Sequence, residues 1–120
     1  MDELTKAEER VMLIFWKLKK AFVKDVLAEM PDEPKPPYNT ISSVARILAA
    51  KGYLKHNTYG KTYEYYPALS QADYRKLKVK KMLSGYFGNS PASLLSFMVN
   101  EDKLSKKEIE KMKEIINHIK

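Results

Sequence analysis

The residues with the clearest chemical signature lie on one side of a helical pattern that begins near Tyr38. At about 100° per residue, that side carries hydroxyl, amide and guanidinium groups and no carboxylate. Its members are Asn39, Ser42, Ser43, Arg46 and Ala50. Such groups donate hydrogen bonds to base edges and phosphates, and a surface without acids can approach a polyanion closely. We therefore predict that this side of the helix contacts DNA.

The elements that must position this surface follow from periodicity. The opposite side of the helix has apolar residues at the spacing of a buried stripe, namely Ile41, Val44, Ala45 and Leu48. Two strands follow, Leu54–Asn57 and Thr62–Tyr66, with a turn at Tyr59-Gly60-Lys61. A helix suited to the major groove beside a basic hairpin is typical of a winged helix-turn-helix domain.

Two further helices are predicted before this unit. Thr5 and Glu8 form a capping box ahead of a helix over Lys6–Lys19, and its predicted buried positions include Val11, Leu13, Ile14 and Leu18. A second helix over Val23–Met30 stops at the proline-rich connector Pro31–Pro37. The fold class predicted for the chain is mainly α (α+β), with the winged helix in residues 1–68.

Residues 69–120 are predicted to form a helical dimerisation region. Its helices cover about Gln71–Phe87, Ala92–Val99 and a segment opened by Ser105. A region of about fifty residues without cysteine is too small to enclose a separate core, so we expect two copies to cover each other's apolar side chains. The alternative is that these apolar side chains fold back onto the N-terminal domain. The predicted dimer contacts are Leu94, Leu95, Phe97, Met98, Ile109, Met112, Ile115, Ile116 and Ile119.

The charge distribution agrees with a polyanionic partner. Formal net charge is +7, and it divides into −2 for residues 1–34, +4 for 35–68 and +5 for 69–120. The basic excess therefore begins where the helix and hairpin begin. The first C-terminal helix carries a further basic cluster, Arg75, Lys76, Lys78, Lys80 and Lys81. This cluster either contacts phosphates or forms a solvent-exposed side of the helix.

Other classes of function are disfavoured. The chain has no cysteine and two histidines, His56 and His118, on different elements, so we expect no metal site, no cofactor and no enzyme activity. No signal-peptide pattern opens the sequence, and the apolar run Val11–Trp16 is too short to span a membrane. The expectation is a cytoplasmic protein without membrane insertion.

Five sequence blocks, in order from Leu4 to Ile119, resemble the penicillinase and methicillin-resistance repressors of the BlaI/MecI type. The blocks are LTKAEERVMLIFW, the Val23–Leu27 helix, YNTISSVARILAAKGYL, GKTYEYYP and SPASLLSFMVNEDKLSKKEIEKMKEII. The resemblance implies a homodimer that binds a palindromic double-stranded DNA operator and represses transcription. The recognition helix would lie in the major groove, with the basic wing beside it.

The resemblance also implies which residues bind DNA. The start and outer side of the family's recognition helix match Asn39, Thr40, Ser42, Ser43 and Arg46, and its wing matches Lys55 to Thr62, with Lys61 at the tip. The chain departs from the pattern at Ile47, where many members have arginine, so one base or phosphate contact is altered and the operator sequence does not transfer.

Regulation in the family often starts at a membrane sensor and ends in proteolysis near the dimerisation helices. The matching bond here is Ser96-Phe97, where close members have Asn-Phe. The copper-responsive branch reads metal through cysteines, which this chain lacks.

Two other hypotheses compete with the repressor. The first is a protein-interaction adaptor that uses the winged-helix scaffold without reading DNA, through the aromatic wing residues Tyr59, Tyr63, Tyr65 and Tyr66. The second is a repressor controlled by a small molecule in a pocket between its domains. A DNA shift assay across salt concentrations separates the adaptor from the repressor, and thermal stabilisation by a ligand would support the second.

Overall fold

The structure is a computed structural model that describes residues 2–100 and 105–119, except for the side chains of residues 109, 116 and 119. The described elements are α1 (Lys6–Leu18), α2 (Val23–Glu29), α3 (Tyr38–Ala50), β1 (Leu54–Tyr59), β2 (Thr62–Pro67), α4 (Gln71–Tyr86), α5 (Pro91–Asn100) and α6 (Lys106–Ile119). The predicted class is confirmed: helices dominate, and the two strands form one antiparallel sheet. No helix within the described ranges is long and apolar enough to cross a membrane.

The chain forms two compact units, Met1–Gln71 and Ala72–Lys120. In the first unit, the capping box that opens α1 is confirmed. The Thr5 Oγ1 accepts a hydrogen bond from the Glu8 backbone N–H at 3.1 Å, and the Glu8 carboxylate accepts one from the Thr5 backbone N–H at 3.1 Å. Helices α1, α2 and α3 then pack around a common core whose largest fully buried side chains are Phe15, Met12, Leu48, Val11 and Val26.

The prediction that Leu13 is buried was wrong. Leu13 is 43% exposed, whereas Met12 and Phe15 are fully buried. The inward side of α1 carries Glu8, Val11, Met12 and Phe15, and Leu13 is displaced about 100° from Met12. Ile14 and Leu18 are half-buried, so the stripe was predicted about one position out of phase.

The hairpin is joined to the helices by backbone hydrogen bonds. Strands β1 and β2 pair from Leu54↔Pro67 to Tyr59↔Thr62, and Gly60 takes a positive φ of 61° in the tight turn between them. Ala21, just before α2, forms a bridge with Tyr65 through two N–H···O bonds of 2.8 and 2.9 Å. The end of the α1–α2 connection therefore acts as a third, very short strand beside β2.

The second unit has a small core. Leu83 of α4 and Leu94 of α5 are buried, and Val79, Phe87 and Met98 pack against them. Ser105 caps α6 by accepting a hydrogen bond from the Glu108 backbone N–H at 3.2 Å. Among the described side chains of this unit, six large apolar ones remain exposed, namely Leu77, Met82, Tyr86, Phe97, Val99 and Ile115.

Candidate nucleic-acid interface

Helix α3 presents the predicted polar surface to solvent. Ile41, Ala45 and Leu48 are buried, which fixes the rotation of the helix and turns the other side outward. The outward side, which we call the acid-free face, comprises the exposed residues Asn39, Thr40, Arg46, Ile47 and Ala50 with the half-buried Ser42 and Ser43. The sequence thus predicted the orientation of this helix correctly.

The arginine of this face is held by its own helix. The Arg46 guanidinium donates a hydrogen bond from Nη2 to the Ser43 Oγ at 3.2 Å, one turn earlier. The side chain therefore lies along the acid-free face before any partner binds. Such a contact lowers the conformational entropy that the long side chain loses on binding.

A groove of about 450 Å³ separates α3 from the hairpin. We call it the helix–hairpin groove. It is lined by Phe22, Val23, Lys24, Tyr38, Ser42, Arg46, Lys61, Thr62, Tyr63 and Tyr65. Four of the predicted DNA-binding residues meet there, two from the helix (Ser42 and Arg46) and two from the hairpin (Lys61 and Thr62). No carboxylate lines it, so its charge is positive.

Other predicted residues lie outside this groove. Asn39, Thr40 and Ser43 belong to the acid-free face but do not line the groove. Lys55 pairs with Tyr66 near the base of the hairpin, four residues before the last pair at the tip. At about 3.3 Å per residue, that places Lys55 about 13 Å from the tip along the strand.

The basic residues of this region fall into two groups. Lys35 and Lys51 are engaged inside the unit. The Lys35 ammonium donates to the carbonyl oxygens of Met30 at 2.6 Å and Ala28 at 3.0 Å, where it satisfies the end of α2. The Lys51 ammonium lies 2.6 Å from the Glu8 carboxylate.

The second group is available to a partner. Arg46, Lys55 and Lys61 are exposed, and within the described residues none of them forms an ion pair with a carboxylate. Because their charge is not neutralised within the chain, it can attract phosphates.

Sequence reasoning did not predict a DNA contact for six of the groove residues, namely Phe22, Val23, Lys24, Tyr38, Tyr63 and Tyr65. Tyr63 and Tyr65 were predicted only as part of an adaptor surface. Lys24 comes from α2, and its ammonium lies 5.9 Å from the centre of the Phe22 ring. The pairing of Ala21 with Tyr65 and the edge-to-face contact of Phe22 with Tyr59, with ring centroids 5.8 Å apart, bring the start of α2 beside the hairpin. No local sequence signal encodes these contacts, although the basic character of Lys24 itself was visible.

The hairpin side of the groove is stiffened by stacked rings. The imidazole of His56 stacks on Tyr63 with centroids 4.0 Å apart, and Tyr65 meets Phe15 edge to face at 5.9 Å. Burial raises the pKa of the Tyr65 phenol above its ordinary value of 10.0, so this group stays neutral. Thr62 donates through its hydroxyl to the Tyr59 carbonyl at 2.9 Å and thereby closes the turn.

The predicted dimer contacts have mixed exposure. Leu94 is buried within its own unit, Leu95, Met98 and Met112 are half-buried, and Phe97 and Ile115 are 55% and 59% exposed. The side chains of Ile109, Ile116 and Ile119 lie outside the described residues. The Ser96-Phe97 bond, the predicted proteolytic switch, lies inside α5 with both side chains exposed.

Comparison with known proteins gives a consistent picture. A family model described as penicillinase repressor matches residues 4–118. The chain is 25% identical to the penicillinase repressor of Bacillus licheniformis over 120 residues, which cover 100% of this chain and 94% of that protein. It is 28% identical to the methicillin resistance regulatory protein MecI of Staphylococcus aureus (strain N315) over 116 residues, which cover 96% and 94%. A solved structure described as a CopR repressor aligns with a TM-score of 0.47 and 26% identity, over 57% of this chain and 100% of that one.

Proposed function

The chain belongs to the penicillinase repressor family, and from that premise we propose that it is a dimeric transcriptional repressor of a palindromic DNA operator. In this proposal residues 1–68 bind DNA and residues 69–120 hold two copies together. Helix α3 lies in the major groove, and the hairpin tip lies against the adjacent sugar–phosphate backbone. The protein acts as a regulator and not as an enzyme.

One observation carries the proposal: an acid-free, exposed helix face adjoins a groove in which Arg46 and Lys61 meet from different elements. A solvated helix usually carries several Glu and Lys, whereas α3 contains no acid. Because duplex DNA has one negative charge per about 1.7 Å of its axis, a carboxylate on this face would be repelled. The composition of α3 therefore suits a helix that faces DNA.

We assign the residues to two roles. The side chains of Asn39, Ser42, Ser43 and Arg46 contact base edges and give specificity. Phosphate contacts, which supply affinity without sequence preference, come from Thr40, Lys55, Lys61 and Thr62. The tertiary contacts add Lys24 to the phosphate-binding group, because it lies in the same groove as Lys61.

Dimerisation is supported by the composition of the second unit. Among its described side chains, the core cluster has two buried apolar members, Leu83 and Leu94, while Phe97 and Ile115 are more than half exposed. Such side chains favour a covering partner, and a second copy with twofold symmetry is the commonest one. The two reading helices would then occupy half-sites about one helical turn apart or a multiple of it.

The direct test is selection of bound fragments from the source genome, followed by titration of the enriched duplex and a scrambled duplex at several salt concentrations. We expect the enriched duplex to bind about 10³-fold or more tightly, with affinity falling steeply as salt rises. Equal affinity for both duplexes would contradict the proposal and favour the protein-interaction adaptor.

Induction by cleavage at Ser96-Phe97 is a further part of the proposal. The bond lies within helix α5, so a protease must first unfold at least one turn to reach it. Cleavage would separate α6 from the rest of the chain and weaken the dimer. Mass spectrometry of the protein recovered from induced cells, with a Ser96→Pro variant as control, tests this step; intact protein after induction would exclude it.

A further inference from the structure

Ile47 is an exposed apolar residue at the centre of the proposed reading helix. Its side chain is 43% exposed, whereas the buried side of α3 is formed by Ile41, Ala45 and Leu48. Ile47 follows Arg46 directly and lies one turn after Ser43, so it belongs to the acid-free face. A β-branched apolar side chain in this position cannot make hydrogen bonds with bases or phosphates.

The surroundings of Ile47 on α3 contain no acid, and Arg46, directly before it, is the one charged side chain of the acid-free face. The neighbours of Ile47 along the exposed side of the helix are Ser43 before it and Ala50 after it. Lys51, at i+4, is directed away, because its ammonium lies 2.6 Å from the Glu8 carboxylate and 3.0 Å from the Glu3 carbonyl oxygen. The Arg46 guanidinium is directed toward Ser43, 3.2 Å from its Oγ, whereas the Ile47 side chain offers only aliphatic carbon. Ile47 is therefore suited to contact an apolar group.

On the major-groove edges of the bases, the prominent apolar group is the C5 methyl of thymine. We infer that Ile47 packs against a thymine methyl in each operator half-site and thereby selects thymine at that position. This inference rests on the proposed function, since it requires α3 to lie in the major groove. Ile47 would then contribute to recognition of the operator sequence together with the side chains that form hydrogen bonds with the bases.

The experiment removes the methyl group and nothing else. In the duplex enriched from the source genome, each thymine of a half-site is replaced singly by deoxyuridine, and the affinity of the full-length protein is measured. Burial of one methyl group corresponds to about a fourfold change in affinity. We expect a loss of about this size at one position for the parent protein, and no loss at that position for Ile47→Ala.

A matched control is Leu13→Ala. Leu13 is also 43% exposed but lies on α1, so its variant should keep the full sensitivity to the methyl group. The inference is overturned if no thymine position responds, or if Ile47→Ala responds as the parent does. In both cases sequence-specific binding would stand, whereas loss of specific binding by the parent itself would remove the proposed function as well.

Sedimentation of Ile47→Ala completes the test. We expect the same oligomeric state as for the parent protein. A shift to a smaller species would show that Ile47 packs against a second copy and would overturn the contact with thymine.

Discussion

Arg46 is the one charged side chain among the four that we propose to contact base edges. It is exposed, it lines the helix–hairpin groove, and it is oriented by its hydrogen bond to Ser43. A guanidinium presents a planar set of donors that matches the two acceptors of guanine in the major groove. A lysine in the same place would keep the charge but lose the paired geometry.

We predict that Arg46→Ala weakens operator binding by about 1–3 kcal/mol and relaxes discrimination at one base position. Arg46→Lys should recover part of the affinity without the discrimination, because only the charge is restored. Titration of the enriched duplex and its single-base variants measures both quantities. Full discrimination by Arg46→Lys would show that Arg46 contacts a phosphate instead.

Lys61 and Lys55 provide a comparison of two cations on one hairpin. Lys61 lies in the groove at the tip, and Lys55 is near the base. We predict that Lys61→Ala weakens binding to all duplexes alike and lowers the salt slope by about 1, and that Lys55→Ala has a smaller effect. A larger effect of Lys55→Ala would mean that the base of the hairpin, and not its tip, faces the DNA.

At the scale of elements, α3 is fixed at its C-terminal end by a long-range ion pair. Lys51 follows the helix directly and joins it to Glu8 of α1 and to the carbonyl oxygen of Glu3. Tyr53, one residue after Gly52, donates to the Asp2 carbonyl at 2.7 Å. These contacts hold the N-terminal segment across the end of α3 and so stabilise the orientation of that helix.

This ion pair makes stability dependent on pH. The hydrogen bond from Lys51, together with that from the Thr5 backbone N–H, holds the pKa of Glu8 below its ordinary value of 4.5. Because the folded-state pKa is the lower one, the carboxylate stabilises the fold above about pH 4.5, and this contribution is lost as pH falls through the folded-state pKa.

We predict that Glu8→Gln lowers the free energy of unfolding at pH 7 by about 1–3 kcal/mol, and that the difference from the parent shrinks below pH 4.5. Urea unfolding over a pH series measures it. Glu29→Gln is the control, since it removes the more exposed pair with Lys17 and should change stability much less at pH 7. A difference that does not shrink as pH falls below 4.5 would show that packing, not ionisation, accounts for the loss.

The whole molecule combines a well-packed first unit with a second unit that buries little. In the first unit three helices and the hairpin enclose the rings and aliphatic chains of one core. In the second, the described side chains include three buried large apolar residues, Tyr74, Leu83 and Leu94, and twice as many exposed ones. A single copy of the protein would occupy only one half-site of the proposed operator. Two copies joined as a dimer would gain affinity, because binding of the second copy becomes intramolecular.

We predict that Ile115→Asp converts the dimer to a monomer with an intact first unit and weakened operator binding, because a buried unpaired carboxylate is costly. Sedimentation at micromolar concentration measures the change. Leu13→Asp, an exposed apolar residue of the first unit, should remain dimeric. A monomeric parent protein at that concentration would contradict the proposed dimer. Ile116→Asp, at a residue whose side chain lies outside the described ones, is a second variant that is also expected to be monomeric.

The sequence by itself determined the features that depend on neighbours within a few residues. The α1 cap needs only Thr5 and Glu8, and the orientation of α3 follows from its apolar spacing. The hairpin turn at Gly60 is equally local. Each is set by short-range hydrogen bonds or by periodicity, which the order of residues specifies directly.

Only the tertiary structure decided the features that join distant parts of the chain. Residues 11–16 are all apolar and lie on every side of α1. Packing, not periodicity, therefore decided that Phe15 is buried and Leu13 is exposed. The charge of Lys51 is neutralised by Glu8, 43 residues earlier, and so is not available to a partner. Lys24 enters the groove because Ala21 pairs with Tyr65. Charge can be counted along a sequence, but which charges remain free is settled by contacts between residues far apart in the chain.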